Sequence, residues 1–198
     1  MLKVAVTGGI GSGKSAVGEI LQELGAVLID SDELARYVIE RGSPGYDQVL
    51  AAFGDEILTA GEIDRAKLAE LVFAQPDLRK KLEGIVHPLV REAAEEIMKS
   101  VPADSVVVNE IPLLFETDGA KRFDFVIAVQ TPIKLRTERL IQRGMKQYEI
   151  DKRIAAQASD EQRAGIAHAV VVNDGSLDDL KSKVEDLWFG QLKPKAGN

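Results

Sequence analysis

The stretch "GGIGSGKS", Gly8 to Ser15, decides how the 198-residue chain is interpreted. It follows the apolar run "LKVAV" and precedes "AVGEILQEL", in which Val17, Ile20 and Leu21 recur at helical spacing. A short apolar, β-branched run is typical of a buried parallel strand, and the second pattern is typical of an amphipathic helix. Glycine weakens both elements. So much glycine between a strand and a helix therefore indicates a loop with a special task.

The stretch matches the P-loop pattern G-x-x-x-x-G-K-[ST]. In such loops backbone N–H groups converge on phosphate oxygens, and the following helix adds its positive end. Lys14 can reach the β- and γ-phosphates, and the Ser15 hydroxyl can bind Mg²⁺. A chance match would not account for the strand before the loop and the helix after it. We predict ATP binding by Gly9, Ile10, Gly11, Ser12, Gly13, Lys14, Ser15 and Ala16.

Composition excludes several classes of protein. No apolar run approaches the roughly 20 residues of a membrane span, and the start "MLKVAVTGG" does not resemble a signal peptide. The chain has no cysteine, so we expect no disulfide, no zinc–thiolate site and a cytoplasmic location. The net charge of −7 argues against a general nucleic-acid binder but allows an anionic small substrate. Nothing in the sequence indicates an oligomeric state.

Strand and helix patterns predict an α/β fold, a P-loop core with a parallel β-sheet flanked by helices. Further strands are expected at "AVLID", "SVVVN", "DFVIAV" and "AVVV", and the tail "KPKAGN" is expected to fray. Between the strands "AVLID" and "SVVVN" we predict only helices, over Glu33–Arg41, Gly45–Phe53, Asp64–Ala74, Asp77–Val86 and Leu89–Ser100. The chain is thus one domain, 1–198, with a nucleotide-binding core (1–32 and 101–198) and a helical insertion (33–100).

Acidic residues follow two of these strands. The second strand ends "IDSD", and Asp32 could orient a substrate hydroxyl near the γ-phosphate and accept its proton. Asp32 could equally cap a helix starting near Glu33, and the two roles are compatible. The third strand runs into Glu110, which could hold Mg²⁺ or be an ordinary acid at a strand end.

Arg136, Arg139 and Arg143 fall on one face of a predicted helix, Ile133–Arg143. Lid arginines can stabilise the negative charge of a transferred phosphoryl group, although a solvated basic face has the same pattern. His87 precedes Pro88 at a predicted helix start, where a capping or core role is equally open. With no cysteine and no paired histidine, we expect no transition-metal site.

Together, "VTGGIGSGKS", "IDSDELAR", "GEIDRAKLAELVF", "HPLVR", "IPLLFE" and "VVNDG" resemble the dephospho-coenzyme A kinase family. The resemblance implies ATP-dependent phosphorylation of the ribose 3′-hydroxyl of dephospho-coenzyme A, giving coenzyme A and ADP in the last step of coenzyme A biosynthesis. It implies a P-loop kinase core in which the insertion (33–100) binds the substrate and a helical segment (140–163) is a lid. It implies Asp32 as catalytic base, Lys14 as phosphate ligand, Ser15 as Mg²⁺ ligand and Arg139 and Arg143 as lid-hinge arginines. It also implies a substrate pocket of His87, Pro88, Leu113, Leu114 and Phe115, and an adenine loop with Asn173 and Gly175.

The chain departs from this family at two points. Glu110 stands where the family usually has aspartate, and the usual acid near Ala169 is missing. A kinase for nucleoside monophosphates or a hydroxy acid fits the glycine loop equally well. A GTPase switch would need an Asn-Lys-x-Asp motif, which the sequence lacks, and a non-catalytic nucleotide sensor would not need Asp32.

Overall fold

The computed structural model describes residues 1–197, and its seven strands form two sheets. The strands are β1 (Leu2–Gly8), β2 (Val27–Asp30), β3 (Leu58–Thr59), β4 (Glu62–Ile63), β5 (Val106–Glu110), β6 (Phe125–Gln130) and β7 (Ala169–Val172). The larger sheet has the order β2-β5-β1-β6-β7, and every neighbouring pair in it is parallel. The predicted α/β fold with a parallel sheet is therefore confirmed.

Ten α-helices are described in the same part of the chain. They are α1 (Lys14–Glu23), α2 (Ser31–Tyr37), α3 (Tyr46–Phe53), α4 (Arg65–Ala74), α5 (Pro76–Ser100), α6 (Ile133–Gln142), α7 (Gln147–Ala155), α8 (Asp160–Gly165), α9 (Leu177–Leu187) and α10 (Lys193–Ala196). No helix within residues 1–197 is long and apolar enough to cross a membrane.

The chain divides into two compact units. The first contains residues 1–30 and the chain from Pro102 onward, with the larger sheet; the second, Ser31–Val101, is mainly helical. The division falls after Asp30 because α2 begins directly where β2 ends.

Central strand β1 explains how the first unit buries its core. Val4 and Val6 are fully buried, and they pack in one cluster with Leu21 of α1 and Val184 of α9. Parallel strands covered by helices on both faces are apolar at nearly every position. The apolar run "VAV", residues 4–6, therefore places β1 in the centre of the sheet, and the loop after β1 lies at the carboxyl edge.

The last turns of the chain belong to this core, so the expected fraying of "KPKAGN" is wrong for residues 193–197. A π-helical segment (Trp188–Leu192) and α10 continue from α9, and Trp188, Leu192 and Ala196 are all buried. These side chains extend the apolar stripe of α9 at steps of four residues, which the polar letters of the tail conceal. Asn198 lies outside the described residues.

The second unit contains a small hairpin that the sequence analysis missed. Strands β3 and β4 pair antiparallel, with Thr59 opposite Glu62. The two residues between them, Ala60 and Gly61, both have positive φ angles, as a type I′ turn requires. Two-residue strands give no detectable alternation, so the expectation of helices alone was wrong here.

Helix α5 also corrects the prediction, which placed a break between Val86 and Leu89. One helix runs from Pro76 to Ser100 with Pro88 inside it. A proline in a helix interior loses one backbone hydrogen bond and costs about 3 kcal/mol. Apolar side chains on both sides of Pro88 pack into the core of this unit, and that burial outweighs the cost. They are Leu78, Leu82, Ile85, Val86, Leu89, Val90 and Ala93.

Candidate active site

The loop between β1 and α1 has the conformation that its glycines allow. Gly11 and Gly13 have φ angles of +74° and +92°, which other residues rarely adopt. The Val17 N–H donates to the Gly13 carbonyl at 3.1 Å, which makes it the first hydrogen bond of α1. The N–H groups of residues 14–16 therefore precede the helical ladder and are directed beyond the helix start, where an anion is favoured.

The Lys14 side chain folds back over this loop. Its Nζ donates to the Gly8 carbonyl at 3.0 Å and lies 3.4 Å from the Gly9 carbonyl. The ammonium group is thus held above the loop rather than extended into solvent. A phosphate bound by the loop would find a positive charge already beside it.

Ser15 lies next to Glu110 at the end of β5. The Ser15 hydroxyl donates to Glu110 Oε2 at 3.1 Å. Gly18, one turn further along α1, makes this approach possible, because a Cβ there would stand 2.3 Å from Glu110 Oε1. The two residues predicted to bind Mg²⁺ therefore lie together at the start of α1.

Asp30 and Glu110 are direct neighbours in the sheet, because β2 and β5 pair with these residues in register. Burial raises the pKa of the Glu110 carboxyl, and the charges of Asp30 and Glu19 raise it further. The Ser15 hydrogen bond and the Lys14 charge oppose that rise. A bound cation would stabilise the charged form of such a buried carboxylate, which has a second carboxylate beside it.

The donors at this edge fit Mg²⁺ in kind and number. A serine hydroxyl and one or two carboxylates are hard oxygen ligands, and Mg²⁺ usually keeps several waters beside them. Within residues 1–197 there is no group of three or more histidine, cysteine or acidic side chains that could hold a metal ion. The longer side chain of Glu110 still reaches Ser15.

Two polar residues hold the far side of the loop. Asn173 Nδ2 and Thr131 Oγ1 both lie 2.9 Å from the Ser12 carbonyl oxygen, and all three residues are buried. The Asn173 amide packs so closely on Gly13 that a Cβ there would lie 2.2 Å from Nδ2. Asn173 therefore braces the loop, and Gly175 lies two residues further, just before α9. Its predicted place beside adenine stays a prediction.

The three arginines predicted on one helical face have different exposures. Arg136 is buried and donates to the Ile10 carbonyl at 3.1 Å. Arg139 is half-buried, and its Nη2 lies 3.4 Å from Asn173 Oδ1. Arg143 is exposed at the C-cap of α6. Arg139 is thus bonded to a residue that braces the loop, and Arg143 lies on the surface.

Asp32 belongs to the second unit, in the first turn of α2. It does not cap the helix, because α2 begins at Ser31 and Asp32 lies inside it. An acid in the first turn is favoured by the helix dipole, which is a sufficient structural reason for a carboxylate here. Its side chain is exposed.

His87 and Pro88 lie in the middle of α5, and both are exposed. The expectation that they begin a helix is wrong. Pro88 lies inside one continuous helix, so it lowers the stability of that helix without ending it.

The residues of "PLLFE" have different exposures. Leu114 is fully buried and packs with Ala5 and Val126, so it cannot line a pocket in this conformation. Leu113 and Phe115 keep part of their surface exposed. A substrate wall at this segment would use those two, with Leu114 behind them.

Gln157 was not recognised from the sequence. Its Oε1 accepts from the Ile10 N–H at 2.8 Å, 147 positions along the chain. No local pattern marks a glutamine for such a contact, because only the folded chain brings residues 10 and 157 together.

A parallel sheet, a glycine loop leading into a helix, and a lysine, a serine and an acid around that loop define a P-loop nucleotide-binding protein. Residues 2–179 match the sequence model of the dephospho-CoA kinase family, and the chain belongs to that family.

Named relatives agree with this assignment. The dephospho-CoA kinase of Frankia casuarinae is 47% identical over 95% of this chain and 82% of its own length. That of Thermobifida fusca is 43% identical over 95% of both chains. The solved structure of dephospho-CoA kinase from Campylobacter jejuni has a TM-score of 0.74 at 26% identity and covers 98% of both chains. The chain spans 49% of the length of a 45% identical relative from Mycolicibacterium paratuberculosis.

Proposed function

We propose that this chain transfers the γ-phosphoryl group of ATP to the ribose 3′-hydroxyl of dephospho-CoA, giving CoA and ADP. The observation that carries the proposal is the match of residues 2–179 to the dephospho-CoA kinase family. The loop at Gly8–Ser15 supports the nucleotide half of the reaction. Identity of the acceptor rests on the family.

The phosphate loop binds ATP in this proposal. Backbone N–H groups at the start of α1 receive the phosphate oxygens, and Lys14 neutralises charge at the β- and γ-phosphates. Its folded position, 3.0 Å from the Gly8 carbonyl, supports this role because little movement of the ammonium group is needed. Asn173 and Gly175 lie beside adenine.

Ser15 and Glu110 hold Mg²⁺, with Asp30 as their neighbour. When bound, the ion would supply positive charge that offsets negative charge on the phosphates and in the transition state. Burial raises the pKa of Glu110 and the Asp30 charge raises it further, and a cation bound at this carboxylate would oppose both effects. The Ser15–Glu110 hydrogen bond keeps both oxygens oriented before the ion arrives.

Asp32 acts as general base. The 3′-oxygen attacks the γ-phosphorus, its proton passes to the Asp32 carboxylate, and the bond between the γ-phosphorus and the β–γ bridging oxygen breaks. Arg139 and Arg143 stabilise charge on the transferred group. His87, Pro88, Leu113 and Phe115 bind dephospho-CoA, with Leu114 behind the last two.

The proposed roles of the chain segments are those that the sequence predicts. Residues 33–100 bind the acceptor, residues 140–163 act as a lid, and the remainder binds the nucleotide. ATP and dephospho-CoA are the partners, and we expect neither nucleic-acid nor membrane binding. The cytoplasmic location expected from the sequence stays a prediction.

ATP consumption with Mg²⁺ tests the proposal, with dephospho-CoA, adenosine, AMP and shikimate as separate acceptors and product identification by mass. We expect a phosphate gain on dephospho-CoA alone. Turnover with another acceptor instead would overturn the substrate and keep the kinase chemistry. Tight ATP binding without any turnover would leave a nucleotide-binding protein.

A further inference from the structure

A cluster of buried charges lies beside the phosphate loop, and two of its members, Asp160 and Arg163, fall at the end of the segment proposed as a lid. Arg136 and Arg163 have side chains only 5% and 1% exposed, and Asp160 lies between them. Arg136 Nη1 is 3.2 Å from Asp160 Oδ1 and 3.3 Å from Oδ2. Arg163 Nη1 is 3.4 Å from the same Oδ1, and its Nη2 is 3.7 Å from Glu116. Buried charges are costly unless paired, so this arrangement needs a reason.

Arg136 connects this cluster to the loop itself. Its Nε donates to the Ile10 carbonyl at 3.1 Å. Its guanidinium lies against Gly9, where a Cβ would stand 2.4 Å from Nη2. The lack of a side chain at Gly9 is therefore explained by Arg136, in addition to the needs of the loop.

The other polar group of Ile10 is also occupied. Its N–H donates to Oε1 of Gln157 at 2.8 Å, and Gln157 lies three residues before Asp160. The segment from Gln157 to Asp160 is itself held, because the Ala158 N–H donates to Glu116 at 2.8 Å. Gln130 Nε2 donates to the Asp160 carbonyl at 3.1 Å. Both backbone polar groups of Ile10 are therefore hydrogen bonded, its N–H to Gln157 and its carbonyl to Arg136. These two contacts attach one end of the phosphate loop to residues far along the chain.

Arg136 is bonded both to the phosphate loop and to Asp160. Its Nε and Nη1 are engaged by Ile10 and Asp160, and Nη2 is pressed against Gly9. A residue in this place can act on ATP through the backbone that it holds. Small misplacements of binding groups reduce phosphoryl transfer strongly, because that chemistry depends on position and charge.

We propose that Arg136, held by Asp160, is a positioning residue that fixes the Gly9–Ile10 part of the phosphate loop for ATP. The expected change in KM rests on the proposed function, whereas the expected change in Kd rests on ATP binding alone. Gln157 completes the attachment from the other side of Ile10.

The test compares Arg136→Met with Lys134→Met, an exposed position on the same helix. We expect Arg136→Met to raise the KM and the Kd for Mg·ATP by about 10- to 100-fold. The KM for dephospho-CoA and all constants of Lys134→Met should stay unchanged. Arg136→Lys should recover only part of the loss, because lysine keeps the charge but cannot bond Ile10 and Asp160 together. A folded Arg136→Met protein with unaltered ATP constants would overturn the proposal.

Asp160→Asn separates positioning from simple stability. If Asp160 acts through Arg136, the variant that combines Arg136→Met with Asp160→Asn should have a KM for ATP no higher than that of the more impaired single variant. Multiplied effects would contradict that coupling.

Should Arg136→Met fail to fold, Gln157→Leu decides the matter. It removes only the acceptor for Ile10, and we expect about a threefold to tenfold rise in the Kd for ATP. An unchanged Kd would refute the attachment. Because calorimetric ATP binding needs no acceptor, failure of the wild type to phosphorylate dephospho-CoA would reject the proposed function without rejecting this inference.

Discussion

The two units hold their candidate functional residues in different ways. In the sheet unit, Glu110 and Asn173 are buried and each is hydrogen bonded to the phosphate loop or its helix. In the helical unit, Asp32 and His87 are exposed. A buried, bonded side chain has one position before any ligand arrives, whereas an exposed one keeps rotamer freedom. The fold thus fixes Glu110 and Asn173, candidates for the nucleotide site, more firmly than the exposed candidates Asp32 and His87.

The largest expected effect tests the helical unit. Asp32→Asn should lower kcat by about 10²–10⁴ because the hydroxyl proton loses its acceptor, while ATP binding stays largely intact. Steady-state kinetics with Mg·ATP and dephospho-CoA measure it. The matched control is Glu33→Gln, in the same first turn of α2. Near-normal turnover of Asp32→Asn would remove the assigned role.

Lys14→Met tests the prepared site of the sheet unit. Losing one preorganised charge at the phosphates should reduce kcat by about 10²–10³. Lys3→Met, an exposed position on β1, serves as the control. If Lys14→Met retained kcat and lost only ATP affinity, the lysine would bind the ground state and not the transition state.

Leu114 and Leu113 separate packing from binding within one motif. Leu114→Ala should lower the free energy of unfolding by about 2–5 kcal/mol, because a fully buried leucine leaves a cavity. Leu113→Ala should cost less stability and instead raise the KM for dephospho-CoA. Denaturant unfolding and kinetics on both variants measure this contrast. A stability loss of equal size at both positions would reject the separation.

Glu110 provides a pH test. Its pKa is raised in the folded state, so the folded protein binds more protons than the unfolded chain above about pH 4.5. Its contribution to stability is therefore present at low pH and lost as pH rises through the folded pKa. Without Mg²⁺, Glu110→Gln should unfold at a higher temperature than the wild type near neutral pH, and the two should converge toward pH 4.5.

Asp104→Asn, an exposed acid, is the control for that comparison. A Glu110→Gln protein that melts below the wild type at neutral pH would contradict the direction of the pKa shift. Added Mg·ATP should stabilise the wild type more than the variant, since the variant lacks one carboxylate.

Pro88 gives the smallest effect. Pro88→Ala should restore a backbone hydrogen bond within α5 and raise the free energy of unfolding by about 1 kcal/mol. Thermal unfolding measures it, with Glu92→Ala on the same helix as control. A rise in the KM for dephospho-CoA together with higher stability would support the substrate role of Pro88. Lower stability would show that the proline is favourable where it stands.

Short-range patterns accounted for the strands of the sheet, the phosphate loop and the family, because each depends on residues close in sequence. They failed where burial outweighed local preference. Pro88 remained helical because apolar contacts flank it, and the tail joined the core because Trp188 and Leu192 continue an apolar stripe. They also failed at the β3–β4 hairpin, whose strands are too short to show a period.

By itself the sequence determined that a strand, a glycine loop and a helix form a phosphate site, since "GGIGSGKS" specifies backbone conformations that few residues other than glycine adopt. Only the tertiary structure decided what holds that loop. Contacts of Gln157, Arg136 and Asn173 with residues 10–13 join positions more than 120 apart in the chain. No periodicity encodes such contacts, because they exist only once the sheet has brought its strand ends to one edge.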